Sequence, residues 1–190
     1  MRKAATPLIS PTEGEGSGFA LWLTGLPASG KTTLAKGLAR ALRKRGVTVQ
    51  ILDSDELRDV LTPNPTYSAE ERSWFHQVVA FIARLLTQHG VNVLIAATAN
   101  RRRYRDHARQ KIERFAEIYV KCSLETCIGR DEKGIYEKAL AGRASTVPGL
   151  QVPYEPPRDP AAVVETEQTS PQEGVRQIEA KLVELSFLEE

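Results

Sequence analysis

The sequence predicts an α/β protein built in three layers, α/β/α, with helices on both faces of a mainly parallel sheet. Three observations predict it. Helix and strand signals alternate from residue 19 to the end of the chain, the pattern of a parallel sheet with crossover helices. The apolar run Ala20-Leu21-Trp22-Leu23-Thr24 is short and unbroken, as expected of a strand covered on both faces. That run enters a turn containing Gly25 and Gly30, after which Leu34, Leu38 and Leu42 recur every four residues, the spacing of one helix face.

The remaining elements follow in order. Gly46 stands where a helix C-terminal cap belongs, and residues 47–53 (VTVQILD) read as a second strand. Ser68-Ala69-Glu70-Glu71 is a capping box that opens a long helix through Val78, Val79, Ile82, Leu85 and Leu86 to Gly90. A strand is expected at 91–98 (VNVLIAAT), a basic helix from about Arg102, and a strand at 115–123 (FAEIYVKCS). Short helices are expected over 124–130 and 134–141. Residues 143–160 contain Pro148, Gly149, Pro153, Pro156, Pro157 and Pro160, too many breakers for a regular element, and read as a lid loop of the kind that closes over a site. Residues 162–165 suit an edge strand. Ser170 as N-cap, Pro171 at the first helical position and Glu173 open a last helix.

Gly25-Leu26-Pro27-Ala28-Ser29-Gly30-Lys31-Thr32-Thr33 is a complete G-x-x-x-x-G-K-[ST] motif between a strand and a helix. The glycines let backbone N–H groups turn inward around phosphates, and the helix start adds its positive dipole end. Lys31 is placed to reach the β- and γ-phosphates and Thr32 to hold Mg²⁺. The fold class is therefore that of a P-loop NTPase, and the cofactors are ATP and Mg²⁺. Gly25, Ala28, Ser29, Gly30, Lys31, Thr32 and Thr33 are the expected nucleotide-binding residues.

Bulk composition narrows the rest. The 190 residues, 41% hydrophobic, suit one domain over 19–190 behind a disordered leader over 1–18 that is polar and rich in Gly, Ser and Pro. A net charge of +2 makes neither nucleic acid nor a membrane the default partner. No apolar run approaches membrane-spanning length, so a cytoplasmic location is expected. Cys122 and Cys127 have no histidine cluster nearby and read as buried free thiols.

Three features separate kinase chemistry from other uses of the motif. No N-K-x-D segment reads guanine, and the strand at 91–98 ends in Ala-Thr-Ala without the terminal Asp of a Walker B strand. The strand at 47–53, in contrast, runs into Asp53-Ser54-Asp55, with Arg58 just beyond. In a doubly wound sheet these groups share a crevice with the phosphate loop. A carboxylate there can take a proton from an attacking hydroxyl or hold Mg²⁺, and Arg58 can grip an anion. The plainer reading is that Asp53 and Asp55 cap a short helix at Glu56.

At this level of detail the chain resembles the adenylylsulfate (APS) kinases, which use ATP to phosphorylate the 3′-hydroxyl of adenosine 5′-phosphosulfate. The resemblance runs from Phe19 to the last helix. It rests on Gly25 to Thr33, Leu52-Asp53-Ser54-Asp55 with Arg58, Tyr67-Ser68-Ala69-Glu70-Glu71-Arg72, Arg130-Asp131-Glu132-Lys133-Gly134-Ile135-Tyr136-Glu137-Lys138-Ala139, and Gly149-Leu150-Gln151-Val152-Pro153-Tyr154-Glu155-Pro156. It implies Asp55 as catalytic carboxylate beside Lys31, with Asp55 also at the metal alongside Thr32, and Arg130 at the nucleotide. It implies a substrate site of Asp53, Arg58, Tyr67, Arg72, Phe75, Arg102, Lys138 and Val147, in which Arg58 and Arg72 hold the phosphosulfate, Tyr67 stacks on adenine and Lys138 leads the closing loop. A homodimer is implied as well.

The departures fall in the acceptor pocket. Phe75 stands where the family usually has Asn, Gln77 and Val78 replace arginines, Val147 replaces a stacking Phe, and Ala99-Asn100-Arg101-Arg102 replaces Ser-Pro-Phe-Arg. On this reading Tyr67 and Phe75 form a stacking cleft around adenine with Val147 as an apolar wall. The expected partner is a small nucleotide, APS or another anionic hydroxyl-bearing metabolite. Residues 101–114 carry seven basic residues against two acidic ones, which admits a polynucleotide end kinase. A solvated helix with a couple of arginines turned to the phosphates is preferred. Retention of Lys31, Thr32 and Asp55 argues against a catalytically inactive binding module.

Overall fold

A computed structural model of the chain describes residues 17–189. Five strands, β1 (Ala20–Thr24), β2 (Val49–Asp53), β3 (Asn92–Ala96), β4 (Phe115–Lys121) and β5 (Ala162–Glu165), form one sheet in the order β2-β3-β1-β4-β5. Every neighbouring pair is parallel. Seven helices flank it: α1 (Lys31–Lys44), α2 (Ser54–Leu61), α3 (Ala69–Gln88), α4 (Arg102–Arg109), α5 (Leu124–Gly129), α6 (Ile135–Leu140) and α7 (Pro171–Glu184).

Strand periodicity divides the core in two. Phe19, Leu21 and Leu23 point to the face covered by α1 and α7, where they meet Leu34, Leu38, Leu42, Ile178 and Leu182. Ala20 and Trp22 point to the other face and meet Phe75, Val79 and Ala83 of α3 and Tyr104 and Ala108 of α4. Because both faces are covered, successive residues of β1 are all buried, which is why the strand carries no alternation. The Trp22 indole N–H, which burial would otherwise orphan, donates to the Ala97 carbonyl at 3.1 Å.

Boundaries shift by one or two residues from the sequence reading. Val47 and Thr48 stay outside β2 because the Val47 N–H is held by the Leu42 carbonyl in the turn that ends α1, with Gly46 at φ 76°. β3 and β4 likewise start or stop inside the runs 91–98 and 115–123. The short helix expected at Glu56 is α2, eight residues that begin at Ser54. Residues 143–160 contain no helix or strand, only an isolated bridge between Pro148 and Val152.

The leader expected over 1–18 lies outside the described residues as far as residue 16. At its end the Gly18 N–H donates to the Thr87 carbonyl at 2.8 Å. No helix among the described residues is long and apolar enough to cross a membrane.

β1 sits at the centre, and the chain leaves it toward β2 on one side and returns past it from β3 to β4 on the other. Ligand crevices in such sheets open at the carboxyl ends of strands where connections diverge. The turn at 25–30 and the Asp53-Ser54-Asp55 segment both lie at these ends.

Candidate active site

The phosphate loop is held in a shape that few residues tolerate. Ala28 and Gly30 have φ of 60° and 100°, and a Cβ on Gly25 would stand 2.3 Å from the Val120 carbonyl oxygen. Two attachments fix the loop from outside. The Tyr136 hydroxyl of α6 donates to the Pro27 carbonyl at 3.1 Å, and the Thr166 hydroxyl donates to the Ser29 carbonyl at 3.0 Å. Arg130 grips Thr166 through its hydroxyl at 3.1 Å and its carbonyl at 3.0 Å, which sets Arg130 beside the loop. The buried Ser29 hydroxyl has no hydrogen-bond partner among the described residues.

Lys31, the first residue of α1, is buried, and its ammonium donates to the Leu26 carbonyl at 2.7 Å and the Gly25 carbonyl at 3.2 Å. Burial brings its pKa from 10.5 down to about 8, against the opposing pull of Asp55, Cys127 and Asp53. A desolvated ammonium satisfied only by carbonyls is suited to a phosphate oxygen arriving in their place.

The two carboxylates take different positions. Asp53 is buried; one oxygen accepts the Thr32 hydroxyl at 2.7 Å and the other caps α2 by accepting the Asp55 N–H at 2.9 Å. The capping reading and the functional reading thus meet in one side chain. Asp55 is exposed and paired with Lys133, whose pKa that pairing raises. A Thr hydroxyl beside one buried carboxylate, with no cluster of three or more ligating side chains among the described residues, fits Mg²⁺, which takes few protein oxygens and completes its shell from phosphates and water.

On the acceptor side, α2 meets the start of α3. Arg58 pairs with Glu71 at 2.9 Å and lies between the rings of Phe75, 4.0 Å away, and Tyr67, 4.8 Å away. Burial alone would push the Glu71 pKa up; hydrogen bonds from Thr66 and the Arg58 guanidinium more than offset it and hold it below the usual range. Arg72 stands 5.2 Å from the Tyr67 ring and donates to the Tyr67 carbonyl at 3.0 Å and the Thr146 carbonyl at 2.8 Å. Two guanidiniums lie beside one exposed aromatic, with Glu71 their one ion-pair partner among the described residues.

Two expected substrate residues are corrected. Phe75 is completely buried and Val147 is 6% exposed. Phe75 lies in the core beneath Arg58, and Val147, within the 143–160 loop, is turned inward to pack with Cys122, Cys127, Tyr136 and Ala139. Neither forms a wall of a cleft. Arg102 is turned to the loop as well, its guanidinium donating to the Pro156 carbonyl at 2.7 Å and its N–H to Glu155 at 2.9 Å. Lys138 and Thr33 are exposed.

Three of the seven basic side chains of the 101–114 segment form ion pairs within the chain. Arg105 is buried and pairs with Glu117 at 2.5 Å; Arg109 joins the same carboxylate at 2.8 Å, and Arg101 pairs with Glu155 at 2.8 Å. That arrangement binds α4 to β4 and to the loop. Cys122 and Cys127 are buried free thiols. Lys133 was missed as a separate candidate, although its place between the α6-capping Asp131 and Gly134 was a visible signal.

A family model described as adenylylsulphate kinase matches residues 17–165. The chain belongs to the adenylylsulphate kinase family. It is 40% identical over 171 residues to a probable adenylyl-sulfate kinase of Pyrococcus abyssi, covering 90% of this chain and 98% of that one. An adenylyl-sulfate kinase of Rippkaea orientalis is likewise 40% identical over 171 residues, covering 90% and 94%. Among solved structures, the Mycobacterium tuberculosis APS kinase in complex with AMPPNP and APS superposes with a TM-score of 0.84 at 30% identity, covering 88% of this chain and 99% of that one.

Proposed function

We propose that this adenylylsulphate kinase family member transfers the γ-phosphoryl group of ATP to the 3′-hydroxyl of adenosine 5′-phosphosulfate, giving 3′-phosphoadenosine 5′-phosphosulfate and ADP. The observation that carries the reading is the likeness at 40% identity over nine-tenths of the chain to adenylyl-sulfate kinases. The intact Lys31, Thr32, Asp53 and Asp55 set supports it.

In this reading the ATP phosphates occupy the turn at 25–30, and the Lys31 ammonium exchanges its loop carbonyls for β- and γ-phosphate oxygens. Thr32 and Asp53 hold Mg²⁺, which when bound neutralises charge on the phosphates. The buried Ser29 hydroxyl gains the partner it lacks. Arg130, fixed through Thr166, flanks the nucleotide. Across the crevice Arg58 and Arg72 face the phosphosulfate, and Tyr67 stacks on adenine. Asp55 orients the 3′-hydroxyl and takes its proton as the oxygen bonds to the γ-phosphorus. The bond to the β–γ bridging oxygen breaks, and ADP carries that electron pair away. Lys133 steadies Asp55 between turnovers.

ADP release with APS, together with chromatographic detection of the 3′-phosphorylated product, tests the proposal. Release with APS above that with free nucleotides and sugar phosphates is expected. No release with APS, alongside release with another hydroxyl-bearing metabolite, would overturn the acceptor and leave the phosphotransferase.

A further inference from the structure

Within the 143–160 loop lies a tight turn whose body is held by its own backbone. The Val147 carbonyl accepts the N–H groups of Leu150, Gln151 and Val152 at 3.3, 2.9 and 3.2 Å, and the Gly149 N–H donates to the Val152 carbonyl at 2.8 Å. Gly149, at φ 87°, is so near Leu26 that a Cβ there would stand 2.5 Å from the Leu26 Cδ2. That contact seats the turn on the phosphate loop, and both the approach and the backbone angle call for glycine.

The peptide that leads into the turn has no such support, since among the described residues no backbone group bonds to the Thr146 carbonyl or the Val147 N–H. Side chains hold it from both ends. The Thr146 carbonyl accepts the Arg72 guanidinium at 2.8 Å, and the Val147 N–H donates to the Gln151 Oε1 at 3.0 Å. A trans peptide is planar, with its C=O and N–H pointing in opposite directions, so whatever holds the N–H aims the carbonyl. Gln151 is that holder. Its own position is fixed at the other end of the amide, where Nε2 donates to the Ala144 carbonyl at 2.5 Å and more weakly to the Ala139 carbonyl of α6 at 3.5 Å. The place needs one acceptor and two donors on a single side chain, which is what a primary amide carries.

Arg72 receives its attitude from this arrangement. Its Nε donates to the Tyr67 carbonyl at 3.0 Å, and the bond from the terminal nitrogen to Thr146 fixes the plane of the fork. Both of these partners are carbonyls, so the positive charge is left for an incoming anion.

We infer that Gln151 is a positioning residue for the acceptor: by orienting the Thr146–Val147 peptide it holds the Arg72 guanidinium where an anionic group is received. In its kinetic form this rests on the reading above, in which that group is the phosphosulfate of APS. Gln151 acts through Arg72 and not by contact with a substrate.

Two substitutions separate the parts. Gln151→Met keeps the size and loses the amide, whereas Gln151→Glu keeps an acceptor oxygen for the Val147 N–H. Gln151→Met raises the KM for APS by about tenfold, the worth of one hydrogen bond to a charged group. Its kcat stays within about threefold, because Arg72 grips the anion equally before and during transfer. Gln151→Glu stays within about threefold of the unaltered KM, and in an Arg72→Met background Gln151→Met adds nothing, as expected of two residues that act as one. The affinity for AMPPNP, measured by calorimetry, moves by less than about threefold in either variant, since Tyr136 and Thr166 still hold Pro27 and Ser29. Gln151 is exposed, so the variants keep the fold, which circular dichroism checks.

A substrate-free arm runs beside the kinetics. In heteronuclear NMR the terminal nitrogens of Arg72 give distinct signals in the unaltered protein and in Gln151→Glu, and merge in Gln151→Met as the guanidinium turns freely. If the unaltered protein releases no ADP with APS, the acceptor reading falls and this arm alone judges Gln151. Equal losses for APS and AMPPNP, additive losses with Arg72→Met, a Gln151→Glu no better than Gln151→Met, or Arg72 signals indifferent to Gln151→Met would each overturn the inference.

Discussion

Lys31 supplies a stability signature that needs no substrate. Its pKa falls from 10.5 to about 8 on folding, chiefly through burial, with Lys133 adding a smaller push in the same direction and Asp55, Cys127 and Asp53 opposing it. A folded pKa below the unfolded value means that the unfolded chain binds more protons between the two, so stability rises with pH across that window and is flat below it. The whole drop corresponds to about 3 kcal/mol. Between pH 7 and pH 9 the linkage relation delivers about 1.3 kcal/mol of it, or roughly 3–5 °C in Tm for a chain of this size.

The upper bound of the window is set by other groups. Cys127, raised from 9.0 to about 12 mainly by burial, has the opposite sign and takes stability away as pH climbs past 9. Comparing Lys31→Met with the unaltered protein removes this shared contribution. Differential scanning calorimetry without nucleotide should show the unaltered protein gaining on Lys31→Met from pH 7 to 9. With saturating ATP the gain should shrink, because phosphate oxygens favour the charged ammonium. Parallel Tm profiles for the two proteins would refute a desolvated Lys31. Lys31→Met should also lose phosphoryl transfer while keeping its fold.

Further expectations follow from other residues. His76 is buried, and burial first, then Arg58, Arg72 and Arg105, lower its pKa to about 3; its contribution to stability is complete above pH 6.5 and falls away toward pH 3. His76→Leu should therefore shift the acid-unfolding midpoint to lower pH, by urea titration at several pH values. Asp55→Asn should lower kcat by roughly 10²-fold to 10⁴-fold with little change in Tm, since the side chain is exposed. Asp53→Asn should lower turnover yet hold stability, because Asn caps a helix as well as Asp, whereas Asp53→Ala should lose about 1 kcal/mol in addition. Phe75→Asn should cost about 3–5 kcal/mol in chemical denaturation and bring no fall in the KM for APS.

The fold was legible because its signals are local. A strand covered on both faces needs an unbroken apolar run, a capped helix needs Ser68 or Ser170 three residues before a Glu, and a left-handed turn needs Gly46; each is written within a few adjacent residues. Element ends were less legible, since where β2 begins depends on a hydrogen bond from Val47 back to Leu42, a competition between helix cap and strand that composition does not decide. The phosphate loop was legible for the same reason as the caps. Nine consecutive residues hold the whole device.

The acceptor side was legible in residue type and not in depth. Tyr67, Arg58 and Arg72 could be named, but whether a residue lines a pocket or lies beneath it depends on which way α3 is rotated, and α3 has apolar residues on two faces. Phe75 belongs to the face turned to the sheet. An aromatic there serves Arg58 by packing under the guanidinium at 4.0 Å, so replacing an amide by Phe at 75 changes how Arg58 is supported and need not change what touches adenine. Val147, a residue of the 143–160 loop, is buried with Tyr136 and Ala139, and Tyr136 in turn holds Pro27 of the phosphate loop. Both residues are buried, one beneath Arg58 and one within the packed base of the 143–160 loop, so on the proposed reading their influence on the acceptor passes through the position of Arg58 and of that loop.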